Sequence, residues 1–260
     1  MSSAAARTLA IRWPACFAAH SKGNPVKTYK YFDFVMGLFV TVLLLSNLLS
    51  SAKLIDLGLR LGSLQLAFDA GTLVFPISYI FGDILTEVYG YRRSRRVIWM
   101  GFVATALMGF FVWLTGALPA EAYWADTVGQ TAYDKVLGGI SGLVVASLAA
   151  YACGEFTNSY VLARMKVATR GNYLPLRTIG STLVGQIVDT LVFLVIATAL
   201  GTFPAELFWS LAVTNYLLKV GIEVVLTPLT LVVVNWLKRA EQEDFFDINT
   251  DFNPFRIDVG

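Results

Sequence analysis

Long uninterrupted apolar stretches, rather than alternating apolar and polar positions, dominate this chain. A helix of about 20 residues crosses a hydrocarbon core of roughly 30 Å. The strands of a membrane barrel are shorter and alternate apolar with polar residues, so the pattern favours helices. The predicted spans are approximately 33–52, 67–89, 96–118, 138–162, 178–202 and 205–236.

Two of these spans depart from the pattern of a straight crossing helix. Pro76 interrupts the second span, which a membrane helix tolerates where neighbouring groups satisfy the freed backbone. The sixth span is long for one crossing. Its Pro228 predicts a kink or a break, and the residues before Leu211 are expected to lie along the interface.

The composition agrees with a membrane protein and excludes most enzyme chemistries. Only 15% of the residues are charged and 56% are hydrophobic, whereas soluble domains carry about 25% charged residues. The net charge of +2 gives no basis for binding nucleic acid. Cys16, Cys153 and the single histidine, His20, form no metal, disulfide or triad pattern. We therefore predict neither an enzyme nor a bound cofactor.

The distribution of Lys and Arg predicts the orientation. Sixteen of them fall in the N-terminal extension, the second and fourth inter-span loops and the tail, against three on the other side, with Lys219 inside a span. By the positive-inside rule both termini are cytosolic, which requires an even number of crossings. We divide the chain into a cytosolic extension (1–30), a six-helix membrane domain (31–238) and an acidic, solvated cytosolic tail (239–260).

Eight amide or ionisable residues lie inside the predicted spans and are candidates for a binding site. A charge at the bilayer centre costs about 2.5–3.5 kcal/mol or more, so such residues normally face a protein interior. Within a span they recur every three or four residues, which places them on one helix face. The candidates are Asp83, Glu155, Asn158, Gln186, Asp189, Asn215, Lys219 and Glu223.

Structural roles compete with binding for some ionisable groups. Glu87 lies about one turn from the basic loop, so a salt bridge to Arg92 or Arg93 is as reasonable as contact with a ligand. Lys219 and Glu223 are one turn apart and could neutralise each other. These alternatives stay open at the level of sequence.

The chemistry of the candidates indicates what they could recognise. Carboxylates accept hydrogen bonds, amides donate and accept, and a lysine donates. Together they fit a small planar molecule with an amidine-like donor edge beside a carbonyl, such as a guanine-like ring. A proton relay would need similar carboxylates, so the pattern does not choose between the two.

Four motifs resemble the queuosine precursor transporter family, also called the vitamin uptake transporter family. They occur in the expected order, and the resemblance covers about residues 33–237. The motifs are FPISYIFGDILTEVYGYRRSRRVIW (75–99), GEFTNS (154–159), RTIGSTLVGQIVDT (177–190) and NYLLKVGIEVVLTP (215–228).

The resemblance implies import of 7-cyano-7-deazaguanine and 7-aminomethyl-7-deazaguanine across a bacterial inner membrane, for salvage into the tRNA nucleoside queuosine. It implies an all-α polytopic fold of six transmembrane helices, similar to the substrate-binding subunits of energy-coupling-factor transporters. The partners are then a deazapurine substrate and membrane lipid, with homo-oligomerisation as a further hypothesis. The chain contains no Walker motif. The alternative is a capture subunit that delivers a vitamin-like ligand to a separate ATP-driven complex.

Combined with the resemblance, the polar residues receive hypothetical roles. Asp189 or Glu155 would accept hydrogen bonds from the ring N–H and the exocyclic amine of the deazaguanine. The amides Asn158, Gln186 and Asn215 would complete its polar edge.

The remaining three residues carry charges that match the rest of the substrate. Lys219 would donate to the ring carbonyl, with Glu223 holding the ammonium in place. Asp83 would meet the aminomethyl cation, carry a coupling proton or act in gating.

Overall fold

The structure is a computed structural model that describes residues 28–61, 64–138, 140–201 and 204–256. The predicted cytosolic extension up to residue 27 lies outside the described residues. The described chain is mostly helical, which confirms the helical class. Its elements in order are α1 (Phe32–Ala52), β1 (Leu54–Leu61), β2 (Leu64–Asp69), α2 (Phe75–Tyr89), α3 (Tyr91–Ala117), α4 (Ala122–Thr127), α5 (Gln130–Tyr133), α6 (Ile140–Ala168), α7 (Leu174–Ala199) and α8 (Phe208–Glu241).

Four helical segments in the described chain are long and apolar enough to cross a membrane. They are α1, α3, α7 and the 37-residue run Ala205–Glu241, which joins a short 3-10 turn to α8. The helix α6 has 29 residues, whereas α2 has 15. The four long apolar helices agree with a chain that passes through the membrane several times.

A β-hairpin occupies the region where the second span was expected to begin. Strands β1 and β2 are antiparallel, with Leu54 opposite Asp69. Their sequences, LIDLGLRL and LQLAFD, alternate apolar with other residues, which is the strand pattern. A 3-10 turn follows, and Pro76 lies in the first turn of α2 rather than interrupting a helix. Proline is tolerated there because the first N–H groups of a helix have no intrahelical partner.

The long sixth span is one helix, so the predicted break at Pro228 does not occur. Helix α8 has 34 residues and is continuous through the proline. The hydroxyls of Thr227 and Thr230 donate to the carbonyls of Glu223 and Leu226 at 2.8 and 3.2 Å. These carbonyls flank that of Val224, which lacks its helical donor because Pro228 has no N–H. The residues just before Leu211 are also helical, from Phe208 onward.

Contacts between distant segments define two ends of the helix bundle. At the hairpin end, Ser51 at the close of α1 donates to the carbonyl of Val136 in the α5–α6 connection. At the opposite end, the backbone N–H of Tyr31 donates to Glu241, 2.6 Å away. The described start and end of the chain therefore lie at the same end of the bundle, which we call the tail end.

The C-terminal tail, residues 242–256, is docked on the tail end, although the sequence predicted a solvated segment. The N–H of Phe245 donates to the carbonyl of Val88 at 3.3 Å. Its ring lies against Gly90, which adopts a φ of +85° and would clash with the ring if it carried a Cβ. Asp247, only 3% exposed, accepts a hydrogen bond from the N–H of Tyr91 at 3.0 Å. The solvated tail is predicted from its low aliphatic content, but aromatic rings such as that of Phe245 pack the tail against the helices.

Replacing Phe245 by alanine is expected to loosen the tail without unfolding the helices, because the lost packing lies outside the bundle. The truncation is expected to lower the free energy that holds the tail on the bundle by about 1–2 kcal/mol. Cleavage of the tail by a protease then becomes about 5- to 30-fold faster, provided that the tail opens and closes faster than it is cut. Limited proteolysis of the purified protein measures the rate. Phe255→Ala, at a position 75% exposed in the same tail, should leave the rate nearly unchanged. Equal rates for both variants would contradict the docked arrangement.

Candidate functional site

The structure brings all eight sequence-predicted residues into the interior of the bundle. They project from α2, α6, α7 and α8, and each is at most 7% exposed. They form two neighbouring groups: a cavity toward the hairpin end and a cluster between that cavity and the tail end. Their assignment to substrate binding stays a prediction.

The hairpin-end cavity is centred on an ion pair between α7 and α8. Lys219 Nζ lies 2.8 Å from Asp189 Oδ2 and 4.1 Å from the centre of the Phe75 ring. The cavity has a volume of about 40 Å³. The residues that line it are Ser46, Asn47, Ser50, Asp69, Gly71, Thr72, Phe75, Ser147, Ala150, Tyr151, Asp189, Thr190, Phe193, Asn215 and Lys219.

The turn after the hairpin contributes polar groups that the sequence prediction missed. Ser50 Oγ donates to Asp69 Oδ1 at 2.5 Å. Thr72 Oγ1 lies 2.9 Å from Asp69 Oδ2 and 3.3 Å from Asn215 Oδ1. Asp69 also accepts from the N–H of Thr72, which is the geometry of a helix cap. The sequence indicates this cap by an aspartate followed three residues later by Thr72, but the second predicted span, starting near residue 67, includes both residues in a helix.

The second group, which we call the central cluster, consists of Asp83, Glu155, Asn158, Gln186 and Glu223. Asn158 Nδ2 donates to Asp83 Oδ1 at 2.8 Å. Several polar side-chain atoms of this cluster have no hydrogen-bond partner among the described residues. They are both carboxylate oxygens of Glu155 and of Glu223, both amide atoms of Gln186 and Oδ2 of Asp83. Each buried polar group left unsatisfied costs about 1–3 kcal/mol. Such a concentration calls for a functional explanation.

Glycines allow the helices to bring these polar groups close together. A Cβ on Gly82 of α2 would lie 3.0 Å from both carboxylate oxygens of Glu155. A Cβ on Gly154 of α6 would lie 2.7 Å from the Cβ of Asp189. Asp189 therefore adjoins both the cavity, which it lines, and α6, which carries Glu155 and Asn158 of the central cluster. Small residues at helix interfaces commonly permit such approach in membranes.

In the described part of the chain, no group of His, Cys, Asp or Glu side chains has the arrangement of a metal site. Ligand pockets usually measure about 300–1,000 Å³, so the cavity is closed in this conformation. A ligand larger than a few waters needs the surrounding helices to separate.

Lys219 pairs across helices, not with the residue expected from its own helix. The sequence hypothesis placed Glu223 beside the ammonium, one turn away. The structure places Asp189 of α7 there instead, at 2.8 Å, while the carboxylate of Glu223 has no hydrogen-bond partner in the described chain. The hypothesis that Glu223 holds the ammonium is therefore wrong.

A separate ion network lies between the central cluster and the tail. Glu87 Oε2 lies 2.5 Å from Arg177 Nη1, and its Oε1 lies 2.6 Å from Lys238 Nζ. Lys166 Nζ donates to the carbonyl of Glu87 at 2.6 Å and to Asp244 of the tail at 2.6 Å. The salt-bridge alternative for Glu87 holds, but its partners come from α7, α6 and α8 rather than from Arg92 or Arg93.

The tail completes this network with a charged carboxylate. Burial tends to raise the pKa of Asp244, but the hydrogen bonds from Lys166 and Lys238 outweigh it and hold the pKa below its ordinary value. The carboxylate is therefore ionised at neutral pH and links the tail to α6 and α8. This contribution is present above the ordinary pKa of 3.8 and is lost as the pH falls through the lowered value.

Comparisons with known proteins agree with the motif resemblance. The family model described as "Putative vitamin uptake transporter" matches residues 69–233. The chain is 31% identical to a "Probable queuosine precursor transporter" of Bacillus subtilis over 206 residues, covering 77% of this chain and 84% of the relative. It is 27% identical to a "Queuosine precursor transporter" of Escherichia coli, covering 64% and 73% of the two chains. No solved structure matches.

Substituting Glu87 by glutamine is expected to destabilise the fold, because it leaves the fully buried guanidinium of Arg177 without its carboxylate. Breaking a buried pair on one side costs about 3–5 kcal/mol. The unfolding midpoint of the purified protein in detergent should fall by several degrees. Glu206→Gln, at an exposed position, serves as the matched control. A Glu87→Gln midpoint equal to that of the control would show that the network contributes little to stability.

Proposed function

This chain belongs to the vitamin uptake transporter family, and on that premise we propose that it imports queuosine precursors across a bacterial inner membrane. The family is one of transporters, so the prediction that the chain is not an enzyme is confirmed. With its apolar helices, the chain is a multi-pass membrane transporter of a small molecule. We propose 7-cyano-7-deazaguanine and 7-aminomethyl-7-deazaguanine as the substrates.

The proposed topology has six crossings, made by α1, the 3-10 turn with α2, α3, α6, α7 and α8. Its support is the separation of the connections to two ends of the bundle. The hairpin and the α3–α6 connection lie at one end, and the described termini lie at the other. The excess of Lys and Arg lies at the tail end, so that end is proposed to face the cytosol. This arrangement would resemble the substrate-binding subunits of energy-coupling-factor transporters.

The observation that carries the substrate assignment is the buried Asp189–Lys219 pair beside the Phe75 ring. A guanine-like base has two adjacent N–H donors next to a carbonyl, so it can donate to a carboxylate and accept from an ammonium. The base would insert between the two charges, and both would keep a hydrogen-bond partner. The aromatic face of Phe75 would then be available for stacking.

The unsatisfied groups of the central cluster would serve the rest of the substrate. The amides Asn158, Gln186 and Asn215 can donate and accept along the edge of the heterocycle. Glu155 provides a second carboxylate for the N–H groups. Asp83 and Glu223 would meet the cation of the aminomethyl form once the helices separate.

The proposed path runs from the hairpin end to the tail end. Asp189 adjoins both polar groups, so a base released from the cavity next meets the central cluster. Beyond it, the Glu87 network and the docked tail close the route, and the exit step requires both to open. The proposed transporter therefore opens alternately at the hairpin end and at the tail end, and the conformation described here is closed at the tail end and around the cavity.

Asp189→Asn is expected to reduce uptake about 10- to 100-fold, because it weakens the acceptor for the base by roughly 1.4–3 kcal/mol and unpairs Lys219. Glu155→Gln should reduce uptake in the same direction. Cells that lack their own precursor synthesis and express each variant at equal membrane abundance are given labelled precursor. Asp126→Asn, exposed on α4, provides the control. Normal uptake by both core variants would remove these carboxylates from recognition.

Purified protein in liposomes is expected to move labelled precursor without another polypeptide. Accumulation inside the vesicles, reduced by Asp189→Asn, supports a self-sufficient transporter. Binding without accumulation would instead favour the alternative of a capture subunit that delivers its ligand to an ATP-driven partner. The measurement thus separates the two functions that the sequence left open.

A further inference from the structure

A second carboxylate, Asp69, lines the hairpin-end cavity in addition to Asp189. It is 8% exposed and lies where β2 ends and the 3-10 turn begins. Among the described residues that line the cavity, these two are the acidic side chains, and Lys219 is the one cation. Lys219 is paired with Asp189 at 2.8 Å. The lining therefore has one more acidic than basic side chain.

The hydrogen bonds that Asp69 accepts come from neutral groups. Its Oδ1 accepts from Ser50 Oγ at 2.5 Å and from the N–H of Thr72 at 3.2 Å. Its Oδ2 accepts from Thr72 Oγ1 at 2.9 Å. A carboxylate has about four acceptor sites, so Oδ2 can accept one more hydrogen bond. None of these donors balances a negative charge.

Neither Lys53 nor Lys219 supplies the missing cation. Lys53 contacts the turn through its carbonyl, which accepts from the N–H of Ala70 at 2.9 Å, and the residue is exposed. The ammonium of Lys219 is bound to Asp189. The printed contacts of Asp69 within the described chain are thus hydrogen bonds, with no ion pair among them.

The turn that carries Asp69 is packed directly on α1, which fixes the carboxylate. A Cβ on Gly71 would overlap Ser50 Oγ and the carbonyl of Ser46. Oδ1 of Asp69 is bonded to the same Ser50, so this oxygen faces α1. A carboxylate that is already held in place loses little conformational freedom when it binds a cation.

Asp69 belongs to a polar line that runs along the cavity toward the tail end. Thr72 Oγ1, which bonds Asp69, also lies 3.3 Å from Asn215 Oδ1, and all three residues line the cavity. Asn215 precedes Lys219 by four residues, which is about 6 Å along α8. Because α8 ends at the tail end, Asp69 lies on the hairpin side of the Asp189–Lys219 pair.

The substituent at position 7 distinguishes the two proposed substrates. In a 7-deazaguanine, the ring carbonyl lies between the N–H edge and the carbon that carries this substituent. With the N–H edge on Asp189 and the carbonyl on Lys219, the substituent lies beyond the carbonyl. The aminomethyl group is a primary amine and is cationic at neutral pH, like a lysine side chain, whereas the cyano group is neutral. A second cation in this closed cavity needs a second carboxylate.

We propose that Asp69 binds the ammonium of the aminomethyl precursor while the base occupies the hairpin-end cavity, and that it makes the cavity selective for this form. The inference rests on the proposed function, because it places the base between Asp189 and Lys219. Asp83 and Glu223 would meet the cation later, when the base moves toward the tail end. The neutral cyano precursor uses the same recognition groups without Asp69.

The test compares the initial rates at which the two labelled precursors enter liposomes, each supplied below its KM. The ratio of the two rates does not depend on the amount of folded protein. Asp69→Asn keeps the helix cap, for which asparagine is as good as aspartate, and removes the charge. It should lower the ratio of aminomethyl to cyano uptake about tenfold. Asp56→Asn, at an exposed position of the same hairpin, should leave the ratio unchanged.

A second measurement uses the unaltered protein. Unlabelled 7-aminomethyl-7-deazaguanine should compete with the labelled cyano precursor about tenfold better than 7-methyl-7-deazaguanine, a neutral analogue that lacks the amino group. The proposal is wrong if Asp69→Asn leaves the ratio unchanged, if it lowers both rates equally, or if the two competitors act alike. Uptake of neither precursor by the unaltered protein would instead contradict the proposed function.

Discussion

Every charged side chain that enters the apolar interior must be compensated, and this requirement organises the bundle. Glu87 on α2 meets it fully, because Arg177, Lys238 and Lys166 approach it from three other helices. These ion pairs join α2 to α6, α7 and α8 near the tail end of the bundle. Because the partners come from different helices, the network can form only when the whole tail end is assembled.

The central cluster and the hairpin-end cavity meet the same requirement incompletely. Lys219 compensates Asp189, but Glu155, Gln186 and Glu223 have no hydrogen-bond partner in the described chain. Because Glu87 is fully paired, a role in stability does not explain why these three residues lack partners. The contrast favours binding as their role, with a polar solute and helix movement supplying what the closed state lacks. The docked tail then closes the end toward which the solute would leave.

Much of this could be predicted from the sequence, because apolar runs and turn-spaced polar residues report directly on the membrane and on helix faces. The helical class, the burial of the eight candidate residues and the family all followed from local patterns. The errors have local causes too. Residues 67–69 of strand β2 fall within the second predicted span, and Pro228, where a kink or a break is expected, lies inside a continuous helix.

The partners of each charge were decided only by the tertiary structure. Along the chain, Lys219 is one turn from Glu223, and Glu87 is close to Arg92 and Arg93, so spacing alone favours those pairs. Packing between the helices instead brings Asp189 of α7 to Lys219 of α8, and Arg177 of α7 to Glu87 of α2. The docking of the tail is of the same kind. Its aromatic rings and backbone carbonyls bind surfaces that exist only once α2, α3 and α6 lie side by side. A sequence determines which groups need a partner, whereas the distances between helices determine which partner each one receives.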